Sequence, residues 1–228
     1  MPDRRLLESD TLRERLLTGV AALHLDLSAE VIERLLDYLD LLTRWNATYN
    51  LSAVRDPVEM VTRHLLDSLA VASHVRGQTL ADLGSGAGLP GIPLAIIAPA
   101  RAVSLVDSNG KKTRFLRAAV RELKLANVQV VERRVEAVEG SFDCITARAF
   151  ATLADMLGWG GHLLAEDGVW LALKGRFPQD ELDAVPEPFV VEATLRLDVP
   201  GLDAERHLVV IKRVRSEAPD RQGPAERT

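Results

Sequence analysis

Before residue 78, apolar residues recur at helical spacing. Leu6 to Leu17 alternates leucine with charge in an amphipathic pattern. Behind Ser28, a residue suited to cap a helix, Val31, Leu35, Leu39, Leu42 and Trp45 fall three and four apart on one face. Asp56-Pro57-Val58-Glu59 is a third start signal, with a capping carboxylate, a proline where no N–H is needed and a glutamate in the first turn. Val58, Val61, Leu65, Leu69 and Ala72 continue that period and predict a helix ending near Gly77. From Thr79 the pattern changes to short apolar runs separated by helical stretches, as in a parallel sheet with right-handed crossovers. The predicted strands are Thr79 to Leu83, Ala102 to Val106, Val128 to Val131, Phe142 to Thr146 and Val169 to Lys174. Phe189 to Val199 and His207 to Val214, connected through Pro200-Gly201, read as a terminal antiparallel hairpin. The expected organisation is an N-terminal helical cap (1–77), a doubly wound α/β domain (78–214) and a polar, disordered tail (215–228).

With 228 residues, 47% of them hydrophobic and 27% charged, the chain can bury a full core and has the composition of a soluble protein. The longest apolar run is cut by Pro93, Pro99 and Arg101, far short of the ~20 residues that a bilayer span needs, so no membrane association is expected. The N-terminus shows no secretory signal, and the single cysteine, Cys144, can close no internal disulfide; both fit a cytoplasmic protein. A net charge of −5 argues against gripping nucleic acid over most of the surface but leaves room for a local basic site. Arginine far outnumbers lysine, which suits bidentate contacts with phosphate or guanine, but GC-rich coding by itself produces the same bias and is the simpler cause.

The segment Asp82-Leu83-Gly84-Ser85-Gly86-Ala87-Gly88-Leu89-Pro90-Gly91 links the first strand to a helix, where α/β sheets bind nucleotide-like ligands. Its glycine spacing is not that of a dinucleotide site, and the phosphate-loop Gly-Lys-Ser/Thr is missing, which disfavours an NAD-dependent oxidoreductase. Asp82 would repel a pyrophosphate and attract the ammonium and sulfonium of S-adenosylmethionine. Asp107, at the end of the second strand, is placed to accept both hydroxyls of a ribose, and Val135-Glu136, after the third, to reach an adenine amine. Each acid alone also reads as a polar strand end. The ordered trio points to a cofactor site, and no metal is expected.

Methyl transfer is an in-line displacement that needs alignment and a dry site more than a nucleophile. The Asn/Asp-Pro-Pro-aromatic turn that handles exocyclic amines is replaced here by Thr146-Ala147-Arg148-Ala149-Phe150. Cys144 lies inside an apolar strand and reads as packing rather than as the nucleophile that pyrimidine carbon-5 requires. A ring nitrogen such as guanine N7 has a free lone pair and needs no base. Lys111, Arg114, Arg117, Arg121 and Lys124 share one helical face, a candidate phosphate-binding stripe. Arg148 and Lys174 open onto the sheet edge beside the cofactor, and a lone strand-end cation such as Lys174 reads equally as a surface ion pair. Arg63, His64, Asp67 and Ser68 lie close to the glycine loop, either as a His–Asp catalytic pair or as braces holding the cap against it.

Trp45-Asn46, Tyr49-Asn50-Leu51, Arg63-His64-x-x-Asp67-Ser68, the loop continuing into Leu89-Pro90-Gly91-Ile92-Pro93, Asp107-Ser108-x-x-Lys111, Arg134-Val135-Glu136, Arg148-Ala149 and Lys174-Gly175 together resemble one family. It is the small-subunit ribosomal RNA guanine-N7 methyltransferase family RsmG, also called glucose-inhibited division protein B, and the likeness runs from about residue 30 to Arg213. The resemblance implies a Rossmann-like, S-adenosylmethionine-dependent fold and methylation of N7 on one guanine of 16S rRNA, free or in the small ribosomal subunit. It implies cofactor contacts at Gly84, Leu89, Val135, Glu136 and Arg148. From the residues themselves, Asp82, Gly86 and Asp107 join the expected cofactor site, and Arg148 is the expected catalytic residue. RNA contacts are expected at Lys111, Arg114, Arg117, Arg121 and Lys174, and the protein is expected to act as a monomer. A non-catalytic RNA-binding module on the same fold is the alternative, disfavoured by the intact acids and glycines.

Overall fold

Alternation with a period of two governs the sheet, because successive strand residues face opposite sides. The computed structural model describes residues 4–148 and 151–214, so the expected tail and the Ala149-Phe150 turn lie outside it. Five strands, β1 (Thr79–Leu83), β2 (Ala102–Val106), β3 (Val128–Val131), β4 (Phe142–Arg148) and β5 (Leu164–Lys174), run parallel. The expected hairpin follows as β6 (Phe189–Arg196) and β7 (His207–Arg213), and β7 also pairs antiparallel with β5. The spatial order is β3-β2-β1-β4-β5-β7-β6. Residues Val169, Leu171 and Leu173 of β5 enter one apolar cluster while Trp170 and Ala172 enter the other, so helices must cover both faces.

On the first face lie α1 (Arg4–Ala22), α2 (Ala29–Tyr49), α5 (Gly91–Ile97) and α6 (Gly110–Glu122), whose Leu16, Ile32, Leu35, Leu39, Ile92, Phe115 and Leu116 form one continuous cluster with Leu80, Val103 and Leu105 of the sheet. The N-terminal helices therefore share the sheet's core. Each such apolar side chain contributes roughly 1.5–3 kcal/mol on burial. The opposite face is covered by α7 (Leu153–Gly160), whose Leu153, Met156 and Leu157 pack with Trp170 and Ile145.

Two expectations need correction. The helix starting at Asp56 does not run regularly to Gly77: α3 (Pro57–Met60) passes into a π turn over Val61–Leu66, then α4 (Asp67–Leu69), and a 3-10 turn at Ala72–His74 ends the segment. In the π turn the Asp67 N–H reaches back five residues to Thr62 O, and the widened backbone turns the polar His64, Asp67 and Ser68 all inward. A 3.6-residue period read from leucines and valines cannot register such an inserted residue. The strands also extend further than predicted: β4 carries Arg148 as its last residue, and β5 begins at Leu164, its polar Glu166-Asp167-Gly168 accompanying an irregularity in the β4–β5 register.

The feature that positions the glycine loop is Asp82, which is completely buried. Its Oδ2 accepts the Gly91 N–H at 3.2 Å and its Oδ1 the Thr146 hydroxyl at 3.0 Å, joining β1 to the start of α5 and to β4. The Ser85 hydroxyl donates to the Asp82 carbonyl at 2.7 Å and tightens the turn. At Gly91 a Cβ would stand 2.9 Å from Asp82 Cβ and 2.3 Å from Leu105 Cδ2, so only glycine lets α5 approach so closely. Burial pushes the Asp82 carboxyl up to about 6, against the pull of these hydrogen bonds and of Arg148. Between the ordinary value of 3.8 and about 6, the folded state holds a proton that the unfolded state has lost. Its contribution to stability therefore falls as pH rises through that window and is constant above it. Asp82→Asn, which cannot titrate, should accordingly gain about 2–3 kcal/mol on wild type between pH ~4 and ~7 in urea unfolding, at ~1.4 kcal/mol per pH unit. Parallel stability curves for the two proteins would contradict this.

Candidate active site

The glycine loop leaves β1 with Gly84, Gly86 and Gly88 at φ values of 68°, 59° and 86°, a left-handed region that side chains resist. At Gly86 a Cβ would meet nothing closer than 3.8 Å, so the position also leaves open space where a ligand can approach the backbone. The Gly86 N–H donates to Asp107 Oδ2 at 2.9 Å, and the Asn109 N–H to Asp107 Oδ1 at 2.8 Å. Asp107 thus ties the loop to the turn that starts α6, where the Asn109 side chain caps the N–H groups of Lys111 and Lys112. From the other side, the buried Tyr38 of α2 donates its hydroxyl to Ala87 O at 2.7 Å, and burial raises that hydroxyl's pKa well above its usual value.

Three cavities adjoin along the carboxyl edge of the sheet. The first, about 390 Å³, is lined by Gly84, Asp107, Lys112, Val135, Glu136 and Trp159 among others. The second, about 420 Å³, shares Gly84 and Lys112 with it and adds Gly86, Leu89, Ser52, His64 and Arg148. The third, about 350 Å³, shares His64 and Arg148 with the second and continues to Arg63, Lys174, Gly175 and Arg206. The glycine loop therefore stands between an acid suited to hydroxyl groups and a cavity edged by guanidinium.

In that third cavity Asp67, on the inward side of the π turn, receives Arg148 Nη1 on Oδ2 at 3.1 Å and Arg206 Nε on Oδ1 at 2.7 Å. The carboxylate is buried while the two arginines stay about one-quarter exposed, so it fixes both planes at the cavity wall. His64 Nε2 lies 2.7 Å from Ser52 Oγ, and burial lowers the pKa of the ring, with Arg148 lowering it further, which favours a neutral imidazole. Asn46, itself buried, holds the same loop by accepting the Ser52 N–H at 2.8 Å and donating to Val54 O at 3.0 Å.

Of the residues singled out from the sequence, Gly84, Gly86, Leu89, Asp107, Val135, Glu136 and Arg148 come together along the first two cavities. Asp82 does not reach them: both its oxygens are engaged inside the fold, so it braces the loop and acts on a ligand only through its field. Lys174 is not a free phosphate ligand either, because its ammonium group donates to Glu181 Oε2 at 2.7 Å and to Ala151 O at 2.8 Å and is largely buried. Within the α6 stripe, Lys111, Arg114 and Arg121 are exposed, but Arg117 is paired at 2.7 Å with Glu132 from the end of β3. Cys144 is fully buried and desolvation pushes its thiol up to about 11, which removes it as a nucleophile. Sequence reasoning overlooked Lys112, whose Nζ is 3.6 Å from Asp107 Oδ2, although the Asn109 cap marks the first turn of α6 as facing the site. It also overlooked Trp159 and the Asp67–Arg206 pair, the latter 139 residues apart and without a local signal.

Comparison with known proteins places the chain in a family. Residues 31–209 match the GidB family, described as rRNA small subunit methyltransferase G. A Neisseria meningitidis (serogroup C, serotype 2a) protein named ribosomal RNA small subunit methyltransferase G is 53% identical over 203 residues, covering 88% of this chain and 98% of its own. A Xanthomonas campestris pv. campestris (strain 8004) protein of the same name is 56% identical over 198 residues, covering 86% and 92%. Among solved structures, ribosomal protein L11 methylase from Lactobacillus delbrueckii subsp. bulgaricus has a TM-score of 0.51 at 20% identity over 65% of this chain and 76% of that one. M. jannaschii TYW2 in complex with AdoMet has a TM-score of 0.51 at 15% identity over 67% and 77%. The structural likenesses are of fold alone, whereas the sequence match spans the glycine loop, Asp107 and Arg148 in one run. The chain belongs to the rRNA small subunit methyltransferase G family.

Proposed function

We propose that the protein transfers a methyl group from S-adenosylmethionine to N7 of one guanine in 16S rRNA, as free RNA or within the small subunit. The observation that carries this reading is the continuity of the three cavities, which puts the glycine loop between Asp107 and Arg148. The residues fit the cofactor. Asp107 uses one N–H on each oxygen and a carboxylate has about four acceptor positions, so lone pairs remain for a ribose diol. Val135, Glu136 and Trp159 offer an apolar and polar wall to a purine, and Gly86 gives open approach. When bound, the sulfonium supplies an electrophilic methyl group; everything else is positioning by the chain.

Guanine N7 carries no proton, so no side chain has to remove one before the methyl moves. That suits a site whose histidine is buried and biased to neutrality, and whose only cysteine is sealed in the core. Arg148, held by Asp67, is placed to align the base with the methyl donor, and Arg206, from the same carboxylate, edges the acceptor cavity. Exposed Lys111, Arg114 and Arg121 are read as phosphate contacts. Residues 1–77 are read as a helical cap packed on the methyltransferase domain, and the protein as a cytoplasmic monomer.

Labelled methyl transfer to 16S rRNA followed by mass mapping tests the function: one N7-methylguanine is expected, and label on a carbon, on an exocyclic amine or nowhere would overturn it. Asp107→Ala should weaken S-adenosylmethionine binding by about 1–3 kcal/mol in calorimetry, the range for a charged hydrogen-bond partner lost, with RNA affinity retained. For Arg148→Lys, which keeps the charge but loses the planar fork, single-turnover methylation should slow by roughly tenfold or more. His64→Asn should keep most of the rate, and the wild-type profile should be flat from pH ~6 to ~9 across the usual histidine range. A step near neutrality that disappears in His64→Asn would instead make His64 a base.

A further inference from the structure

Beyond the third cavity, the chain leaves β5 through Gly175-Arg176-Phe177 before entering α8 (Gln179–Leu182). Phe177 is 50% exposed, one of the few large apolar side chains on the surface among the described residues. It is nevertheless held in place. Its ring stands at 86° to that of His207 with centroids 5.4 Å apart. His207 Nδ1 lies 3.1 Å from Gly175 O; a carbonyl can only accept, so Nδ1 carries the hydrogen and anchors the loop to β7. Gly175, at one end of this loop, and Arg206, next to His207 in the chain, both line the third cavity, so the loop that carries the ring starts at its wall. Arg176 beside it is exposed and has no ion-pair partner among the described residues.

We propose that Phe177 is a stacking platform for an unpaired base of the RNA strand that enters the Arg148 cavity, with Arg176 on the adjoining phosphate. An aromatic ring pinned on one neighbour, half open to solvent and one residue from an exposed arginine matches how single-stranded nucleic acid is held, since every base has a face to stack and every linkage a charge to meet. Of the acids that follow, Glu181 is bound by Lys174, whereas Asp180 in α8 and Asp183 just past it are exposed, so a phosphate is expected at Arg176 rather than along α8. The inference rests on the RNA substrate proposed above and adds to it the residue that grips the nucleotide flanking the target.

The test measures binding of a 16S rRNA fragment and, separately, methyl transfer, for wild type, Phe177→Ala, Phe177→Leu, Phe177→Tyr and Arg176→Ala. Phe177→Ala should weaken RNA binding and raise the KM for RNA by roughly 5- to 150-fold, the span of one lost base stack. Phe177→Tyr should restore binding and Phe177→Leu should not, because apolar area alone does not replace a ring face. S-adenosylmethionine affinity should be the same in all five proteins, which also reports that they are folded. The salt dependence of RNA binding should be unchanged in Phe177→Ala and shallower in Arg176→Ala by about 0.7 log units, one single-strand phosphate contact. Wild-type affinity in Phe177→Ala, or full recovery in Phe177→Leu, would overturn the stacking assignment while leaving the methyl-transfer reading intact. RNA bound with this pattern but never methylated would overturn the function and not the platform.

Discussion

Everything at the carboxyl edge depends on a buried carboxylate. Asp82 sits where β1 ends, and its two oxygens reach the first N–H of α5 and the Thr146 hydroxyl of β4. Placing a charge in such an interior is costly, and the elevated pKa records the cost. What the protein obtains in return is geometric: the loop between Gly84 and Gly91 has its start tied to the Asp82 carbonyl through Ser85 and its end to the Asp82 carboxylate, both on one residue. A loop clamped at both ends can present backbone to a ligand with little left to order on binding, which is the physical content of a preorganised site.

Asp67 repeats the device one cavity further along, this time with arginines as partners. Its burial would be unfavourable alone, but two guanidinium groups more than balance the charge and leave the cluster net cationic. The excess points into the cavity where an electron-rich purine and its phosphates are proposed to lie. The π turn makes this possible, since it brings Asp67 inward alongside His64 and Ser68. One inserted backbone residue is thus the local distortion on which the electrostatics of the acceptor side rest, consistent with the tendency of such turns to mark functional positions.

The strands and the glycine loop were legible because both signals are local. Apolar runs bounded by polar residues gave the five parallel strands to within a few residues, and glycines between a strand and a helix have few other uses. Asp107 was legible for the same reason, as a strand-end acid a fixed distance past the loop. What escaped was set by partners remote in sequence. Lys174 and Arg117 read as free cations until Glu181 and Glu132 were brought to them by the fold. Asp82 read as a ligand contact because nothing near it in sequence announces Thr146, 64 residues away. The π turn was invisible for another reason: a leucine-and-valine stripe reports which side faces the core and says little about how many residues make each turn.

The strand order carries a consequence for how the chain is made. Among the described residues β6 pairs only with β7, and β7, one of the last segments described, fills the place between β5 and β6 with Leu208, Val209 and Ile211 completely buried. During synthesis from the N-terminus, β5 therefore emerges with one hydrogen-bonding edge open, and β6 follows without the neighbour it needs. The five parallel strands and their helices can collect around the glycine loop first, but the sheet closes only when the final strand inserts. Until then the nascent protein exposes an apolar strand edge next to the position of Lys174, the kind of surface that chaperones cover and that pairs wrongly with other chains. A premature stop between Lys174 and His207 would leave the glycine loop, Asp67 and Asp82 encoded, yet strand β5 unpaired on one side.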